Sequence, residues 1–314
     1  MMKKMKLFGW VVFALLFGVV QLHPSACLGA KVPVVASIFP VADLVRAVGG
    51  EHVEVTFIIP AGASPHTFEP KPSLVKQIAS AKVFFMIGAG LEIWAEKFVK
   101  LAGPRLTTVA LSEGVDLIHT TGHHDEDNHK HRHEKSSVSD HKSLVANPHI
   151  WLDPVIAKSM VDKIVAALSQ ADRSNEAYYR QQGQKYLGEL DKLDTLIKAT
   201  VATFKMKKFV AFHASWDYFA RRYGLEAAGV IEVAPGRSPT PIQIKHIVDQ
   251  IRQYRIRAVF AEPQFNPRAA EVIAKEAGAS VLLLDPLGGP NLKDRSTYTD
   301  LLKYNLNVMQ EAMQ

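Results

Sequence analysis

Five residues of this 314-residue chain carry metal-ligating side chains at points where an apolar run meets a turn. His66 closes Gly62-Ala63-Ser64-Pro65-His66, and His149 sits in Asn147-Pro148-His149-Ile150-Trp151-Leu152-Asp153-Pro154. His213 ends the run Phe209-Val210-Ala211-Phe212, and Asp285 follows Val281 to Leu284 and is held by Pro286. Glu262, in Ala261-Glu262-Pro263, ends a further apolar run. Singly, each has an ordinary reading. A histidine beside apolar residues serves as a hydrogen-bonded structural residue, and an aspartate before proline starts a turn. Their joint placement is what raises a shared site as the competing reading.

Short β-rich runs alternating with helical stretches are the elements that must position them. Strands are expected from Val32 to Phe39, Val53 to Ile59, Lys82 to Ile87 and Leu106 to Ala110. Between them lie helices from Val41 to Val48, from Pro72 to Ser80, and through Trp94 and Phe98. Asp153-Pro154 starts another, with Asp as N-cap and Pro at the first helical position. A polar helix from about Asn175 to Phe204 carries Tyr179, Leu187, Leu190, Leu193 and Ile197 near helical spacing. At about 1.5 Å per residue it spans roughly 45 Å, long enough to run along two lobes. A second block follows, with strands at Phe209 to Phe212, Val230, Ala258 to Ala261 and Val281 to Leu284. Its helices run from Trp216 to Tyr223, Ile242 to Tyr254 and Ala269 to Ala277, and a last one from about Tyr298 to Ala312.

This is the pattern of an α/β fold: two lobes with parallel sheets, each with its own core, joined by one long rigid helix. The lobes are expected at 31–173 and 205–314, with the linking helix at 174–204. His66, His213 and Asp285 then follow the carboxyl ends of parallel strands, where ligand sites of open α/β sheets are built. His66 and His149 come from the first lobe and His213 and Asp285 from the second, so these four converge only in the interdomain cleft.

Composition limits the classes of function. Lys3, Lys4 and Lys6 precede an apolar run from Leu7 to Val20, and small residues follow at Ser25, Ala26, Gly29 and Ala30. That is the grammar of a signal peptide over residues 1–30, and the expected location is outside the cytoplasm, in the periplasm. Cys27, the single cysteine, offers the alternative of a lipid anchor on the outer face of the membrane. No pair of cysteines remains to staple the fold. The formal net charge of +6 drops to +3 without the three lysines, and no basic stripe interleaves with aromatics, which argues against nucleic acid.

Residues 119–146 break the alternation. They are rich in His, Asp, Glu, Lys and Ser, with almost no apolar residue, and read as a flexible insertion. His119, His123, His124, His129, His131, His133 and His141 crowd this tract, which suits weak, adaptable metal binding in place of a shaped site.

The stretches GASPHTFEP (62–70), NPHIWLDP (147–154), VAFHASWDYFARRYGL (210–225), FAEPQFNPR (260–268) and LLLDPLGG (282–289) resemble the zinc/manganese solute-binding proteins of ABC transporters. They run in order along nearly all of the chain after residue 31. The resemblance implies two α/β lobes on one rigid helix, with His66, His149, His213 and Asp285 as ligands of one ion. It also implies delivery of that ion to a membrane permease with its ATPase, by a receptor that is a monomer and not an enzyme. Three imidazoles and a carboxylate form a closed four-ligand set, which suits retention more than catalysis. Relatives that favour manganese tend to carry a carboxylate where this chain has His213, and imidazole-rich sites favour zinc. Similar His-rich loops mark zinc-specific members. Some zinc-specific relatives place a glutamate where Pro65 stands, so Asp285 is the expected fourth ligand and water its alternative. Glu262 is expected behind a ligating imidazole, orienting it through its free N–H.

Three competing functions follow from the same residues: a manganese receptor, a metal-dependent adhesin and a metallohydrolase. The last needs an open coordination position and a general base, for which Glu262 is the candidate; no HExxH helix signature is present.

Overall fold

The computed structural model describes residues 30–121, 144–233 and 236–314. The signal segment through Gly29, with Cys27, and His123, His124, His129, His131, His133 and His141 lie outside the described residues.

The first sheet takes β1 (Val32–Ala36), β2 (Val53–Phe57), β3 (Val83–Met86) and β4 (Thr107–Ala110), in the spatial order β2-β1-β3-β4. All three pairings are parallel, with Val34 opposite both Val55 and Val83. Helices α1 (Phe39–Gly49), α2 (Leu74–Ala79) and α3 (Ala95–Ala102) connect the strands. Parallel strands require such crossovers. The near-continuous Val/Phe/Ala composition of β1 and β3 fits strands covered on both faces.

An antiparallel pair, β5 (His119–Thr121) with β6 (Leu144–Ala146), then closes the neck of the His-rich insertion. Here the structure corrects the expectation, which placed both segments in a featureless loop. Tyr218 ties this neck to the body: its hydroxyl donates to Asn147 O at 2.7 Å and accepts from Ile118 N at 3.0 Å.

After α4 (Pro154–Ala171) comes the spine, α5 (Glu176–Ala202), 27 residues long. The Asp153 carboxylate caps α4, accepting from Val155 N at 2.8 Å and Ile156 N at 3.3 Å. Tyr179, Gly183, Tyr186, Leu190, Leu193, Ile197 and Val201 form the buried stripe of α5 at spacings of three and four. Gly183 does more than weaken the helix. A Cβ there would stand 2.4 Å from Val165 Cγ2, so glycine permits the close approach of α4.

The second sheet contains β7 (Lys208–Ala211), β8 (Glu226–Val230), β9 (Ala258–Ala261) and β10 (Ser280–Leu283), again parallel, in the order β10-β9-β7-β8. Its helices are α6 (Asp217–Tyr223), α7 (Pro241–Tyr254) and α8 (Arg268–Ala277). The last helix, α9 (Tyr298–Met313), leaves this lobe and packs on α5 and α1. Tyr298 is fully buried there, with its N–H on Asp43 Oδ2 at 2.7 Å and its hydroxyl on Trp151 O at 2.6 Å.

The expectation of two separate cores is therefore corrected. One apolar cluster runs from Val32 through Trp151, Tyr179, Leu190, Trp216 and Tyr298 to Met313. A second covers only part of the C-terminal lobe, around Val210, Ile247, Val259 and Ile273. Helix α5 packs on α1 and α4 of the first lobe and on α6 and α9 of the second, so apolar surface is continuous across the junction. Arg222 Nε on α6 adds an ion pair to Asp153 Oδ2 at 2.8 Å. No helix among the described residues is long and apolar enough to cross a membrane.

Candidate metal centre

His213 sits two residues past β7, and Glu262 immediately follows β9. Adjacent parallel strands thus bring them side by side, and Glu262 Oε1 accepts from His213 Nδ1 at 2.9 Å. Ser215 Oγ donates to the same oxygen at 3.0 Å. Fixing the proton on Nδ1 leaves the Nε2 lone pair of His213 free to coordinate.

His149 is oriented by local means. Pro148 precedes it and a 3-10 turn, Ile150–Leu152, follows. Asn147 Oδ1 accepts both the His149 backbone N–H at 3.0 Å and its Nδ1 at 2.8 Å, an Asx-type turn that again leaves the Nε2 lone pair free to coordinate. The other end of the Asn147 amide donates to Ala214 O at 2.6 Å and Asp217 Oδ2 at 3.0 Å. One side chain therefore orients His149 and joins the two lobes.

His66 arrives from the long loop between β2 and α2, half-buried. Its Nε2 lies 3.0 Å from His149 Nε2, which lies 3.1 Å from His213 Nε2. The three ligand nitrogens fall within 4.8 Å of one another. Around a tetrahedral zinc with bonds of about 2.0–2.1 Å, neighbouring nitrogens stand about 3.3 Å apart, close to what is seen. Lone pairs this close repel unless a cation or a shared proton lies between them. Burial, and then the charge of His213, pushes the His66 pKa down to about 3. Burial, followed by His213 and His66, also drives His149 well below the usual imidazole value. Both rings are neutral near pH 7, the form that binds metal.

The pocket at this point encloses about 10 Å³, the scale of a single small ion or water, and is lined among others by Trp151, Gln264, Phe265, Pro286 and Leu287. Asp285, expected as the fourth ligand, is not among the side chains whose ligand atoms lie within 4.8 Å of one another, and its carboxylate accepts from Gln264, Leu287, Gly288 and Arg295. His119 is exposed on β5, paired with Ala146. Asn147 was missed by sequence reasoning although the spacing Asn-Pro-His is a legible Asx signal. Ser215, Gln264 and Arg295 carried no signal of their own, since only folding brings them to the site.

A family model described as zinc-uptake complex component A, periplasmic (ZnuA), matches residues 34–312. The chain belongs to the ZnuA family. The zinc-binding protein AdcA of Streptococcus pyogenes is 29% identical over 287 residues, covering 89% of this chain. The chain spans only 56% of AdcA's length, about half of that relative. The high-affinity zinc uptake system protein ZnuA of Bacillus subtilis is 26% identical over 289 residues, 91% of this chain and 88% of the relative. A crystal structure of ZnuA superposes with a TM-score of 0.77 at 28% identity, over 90% of this chain and 99% of that one. Members of the ZnuA family are solute-binding receptors, and the two-lobed α/β architecture with a long linking helix is shared with that solved structure.

Proposed function

We propose that the chain is an extracytoplasmic receptor that captures zinc and hands it to the permease of an ABC transporter driven by its ATPase. The observation that carries this is the convergence of three Nε2 atoms from two lobes, at 3.0 and 3.1 Å, with His149 and His213 each oriented from behind. His66, His149 and His213 are the protein's ligands in this reading, and the fourth position goes to water, the alternative to Asp285 raised above. An all-nitrogen set favours zinc over manganese, which prefers hard oxygen. The enclosed part of the site, about 10 Å³, has the scale of one ion, and His66, His149 and His213 also line an adjoining cleft of about 280 Å³. Glu262 Oε1 is engaged in orienting His213. That engagement of the one candidate base favours a receptor over a hydrolase. Export rests on the signal grammar of residues 1–30, and His119 with the histidines that follow it would serve as auxiliary, low-affinity sites. Titration of metal-stripped protein should give nanomolar zinc binding and much weaker manganese binding. Micromolar zinc affinity, or tighter manganese, overturns the assignment.

A further inference from the structure

Asp285 has the chemistry of a metal ligand and ends a strand beside the site, yet all its polar atoms are engaged. Its backbone N–H donates to Asn305 Oδ1 at 2.7 Å, and its carbonyl accepts from Asn305 Nδ2 at 2.7 Å. Oδ1 accepts from Gln264 Nε2, Leu287 N and Gly288 N, each at 3.0 Å. Oδ2 accepts from Arg295 Nη1 at 3.2 Å. The residue is 1% exposed, so removing any of these donors would leave buried charge uncompensated.

Arg295 is itself held in place. Its guanidinium lies 4.3 Å from the ring centroid of Tyr304, its Nε donates to Asp294 Oδ1 at 3.2 Å, and its side chain is only 15% exposed. The backbone is tied as well. Gly289 N donates to Arg295 O at 3.2 Å, and Gly288 adopts φ +65°, where a Cβ would stand 2.7 Å from that same oxygen. The turn carrying Pro286 and Leu287 into the pocket lining is thus folded onto the residue that neutralises Asp285.

We propose that Arg295 is a selectivity residue: by holding the Asp285 carboxylate, it keeps hard anionic oxygen out of the coordination sphere. This rests on the receptor reading above and deepens it. The ion then meets three neutral imidazoles and one exchangeable ligand, a set that zinc accepts and manganese, with its preference for carboxylate, does not. Two other buried oxygens of pocket-lining residues fit that exchangeable ligand. Glu262 Oε2 and Gln264 Oε1 have no hydrogen-bond donor among the described residues, and the O–H groups of a metal-bound water are suitable ones. Gln264 is placed to do both jobs, its amide nitrogen on Asp285 and its oxygen unpartnered.

The test uses the full chain, with zinc and manganese as probes, in competition against a chromophoric chelator. Asp285→Asn should leave zinc affinity within about threefold of the parent, because no ligand is lost. Arg295→Met frees Oδ2, with Oδ1 still held by Gln264, Leu287 and Gly288, and should tighten manganese at least tenfold, shifting the zinc-to-manganese ratio. Arg295→Lys keeps the charge and should keep the parental ratio, and adding Asp285→Asn to Arg295→Met should abolish the manganese gain. A loss of zinc affinity of about 100-fold in Asp285→Asn overturns the inference, as does an unchanged manganese affinity in folded Arg295→Met. Should Arg295→Met fail to fold, Asp285→Asn alone decides whether the carboxylate is a ligand. A parent chain that binds no zinc refutes the receptor reading itself; a zinc-binding parent with a collapsed Asp285→Asn refutes only this inference.

Discussion

The two lobes are wired alike and used differently. Read by order of appearance, each sheet runs second-first-third-fourth: β2-β1-β3-β4 in one and β8-β7-β9-β10 in the other. In the C-terminal lobe the strand ends themselves carry the polar groups. His213 and Asp285 stand two residues beyond β7 and β10, and Glu262 directly follows β9. In the N-terminal lobe the corresponding ends are structural. Beyond β3, the N–H groups of Ile87 and Gly88 are taken at 2.9 Å by Glu92, whose buried carboxyl has its pKa raised by desolvation. That lobe delivers its imidazoles from loops, His66 after β2 and His149 after β6. A strand-end residue inherits its position from the ladder, whereas a loop residue must be fixed by hydrogen bonds of its own. His149 has Asn147 for this purpose. Behind His66 Nδ1 no acceptor stands among the described residues, so its ring is held by fewer hydrogen bonds than those of His149 and His213.

The comparison can be broken most directly by deleting ligands from each lobe. His213→Ala should weaken zinc by about a thousandfold and His66→Ala by about a hundredfold, since the pre-oriented ligand contributes more. Chelator competition measures both, and equal losses would erase the distinction between ladder and loop. Acid comes next, and it acts on the two loop-borne histidines. His66, held down to about 3, and His149, also lowered, stay neutral in the folded protein while the unfolded chain takes up protons below about pH 6.5. Stability is therefore complete above that pH and is lost as pH falls, by up to about 1.4 kcal/mol per pH unit for each ring. Melting of the metal-free protein from pH 7 to pH 5 should show this, and His66→Gln should reduce the slope.

Smaller effects probe what holds the ladder-borne ligand and the junction. Glu262→Gln keeps an acceptor for His213 Nδ1 but removes the charge, and zinc affinity should fall about tenfold with the fold intact. An unchanged titration would show that the strand end alone positions His213. Tyr298→Phe removes the hydroxyl donated to Trp151 O across the junction and should lower unfolding stability by about 1 kcal/mol, with zinc affinity unaltered. A change in affinity instead would show that the shared core tunes the cleft.

Everything that depends on local periodicity was legible from the residues alone. The strand-helix alternation, the α5 stripe from Tyr179 to Val201 and the Asp153 cap are short-range patterns, written within a few residues of one another. The candidate histidines were legible too, because each borders an apolar run. What only the tertiary structure decided are contacts across long stretches of chain. The hairpin at the neck of the insertion pairs segments more than twenty residues apart, and Tyr298 reaches back to Asp43 and Trp151. The fate of Asp285 belongs here as well. Its type and place near a strand end match those of a ligand, but Gln264 and Arg295 donate to its oxygens, and no spacing in the chain announces either donor. A side chain's identity sets which bonds it is able to make. Which bond it does make depends on the partners that folding places nearest, and in this cleft those are other imidazoles for His66, His149 and His213 and a guanidinium for the Asp285 carboxylate.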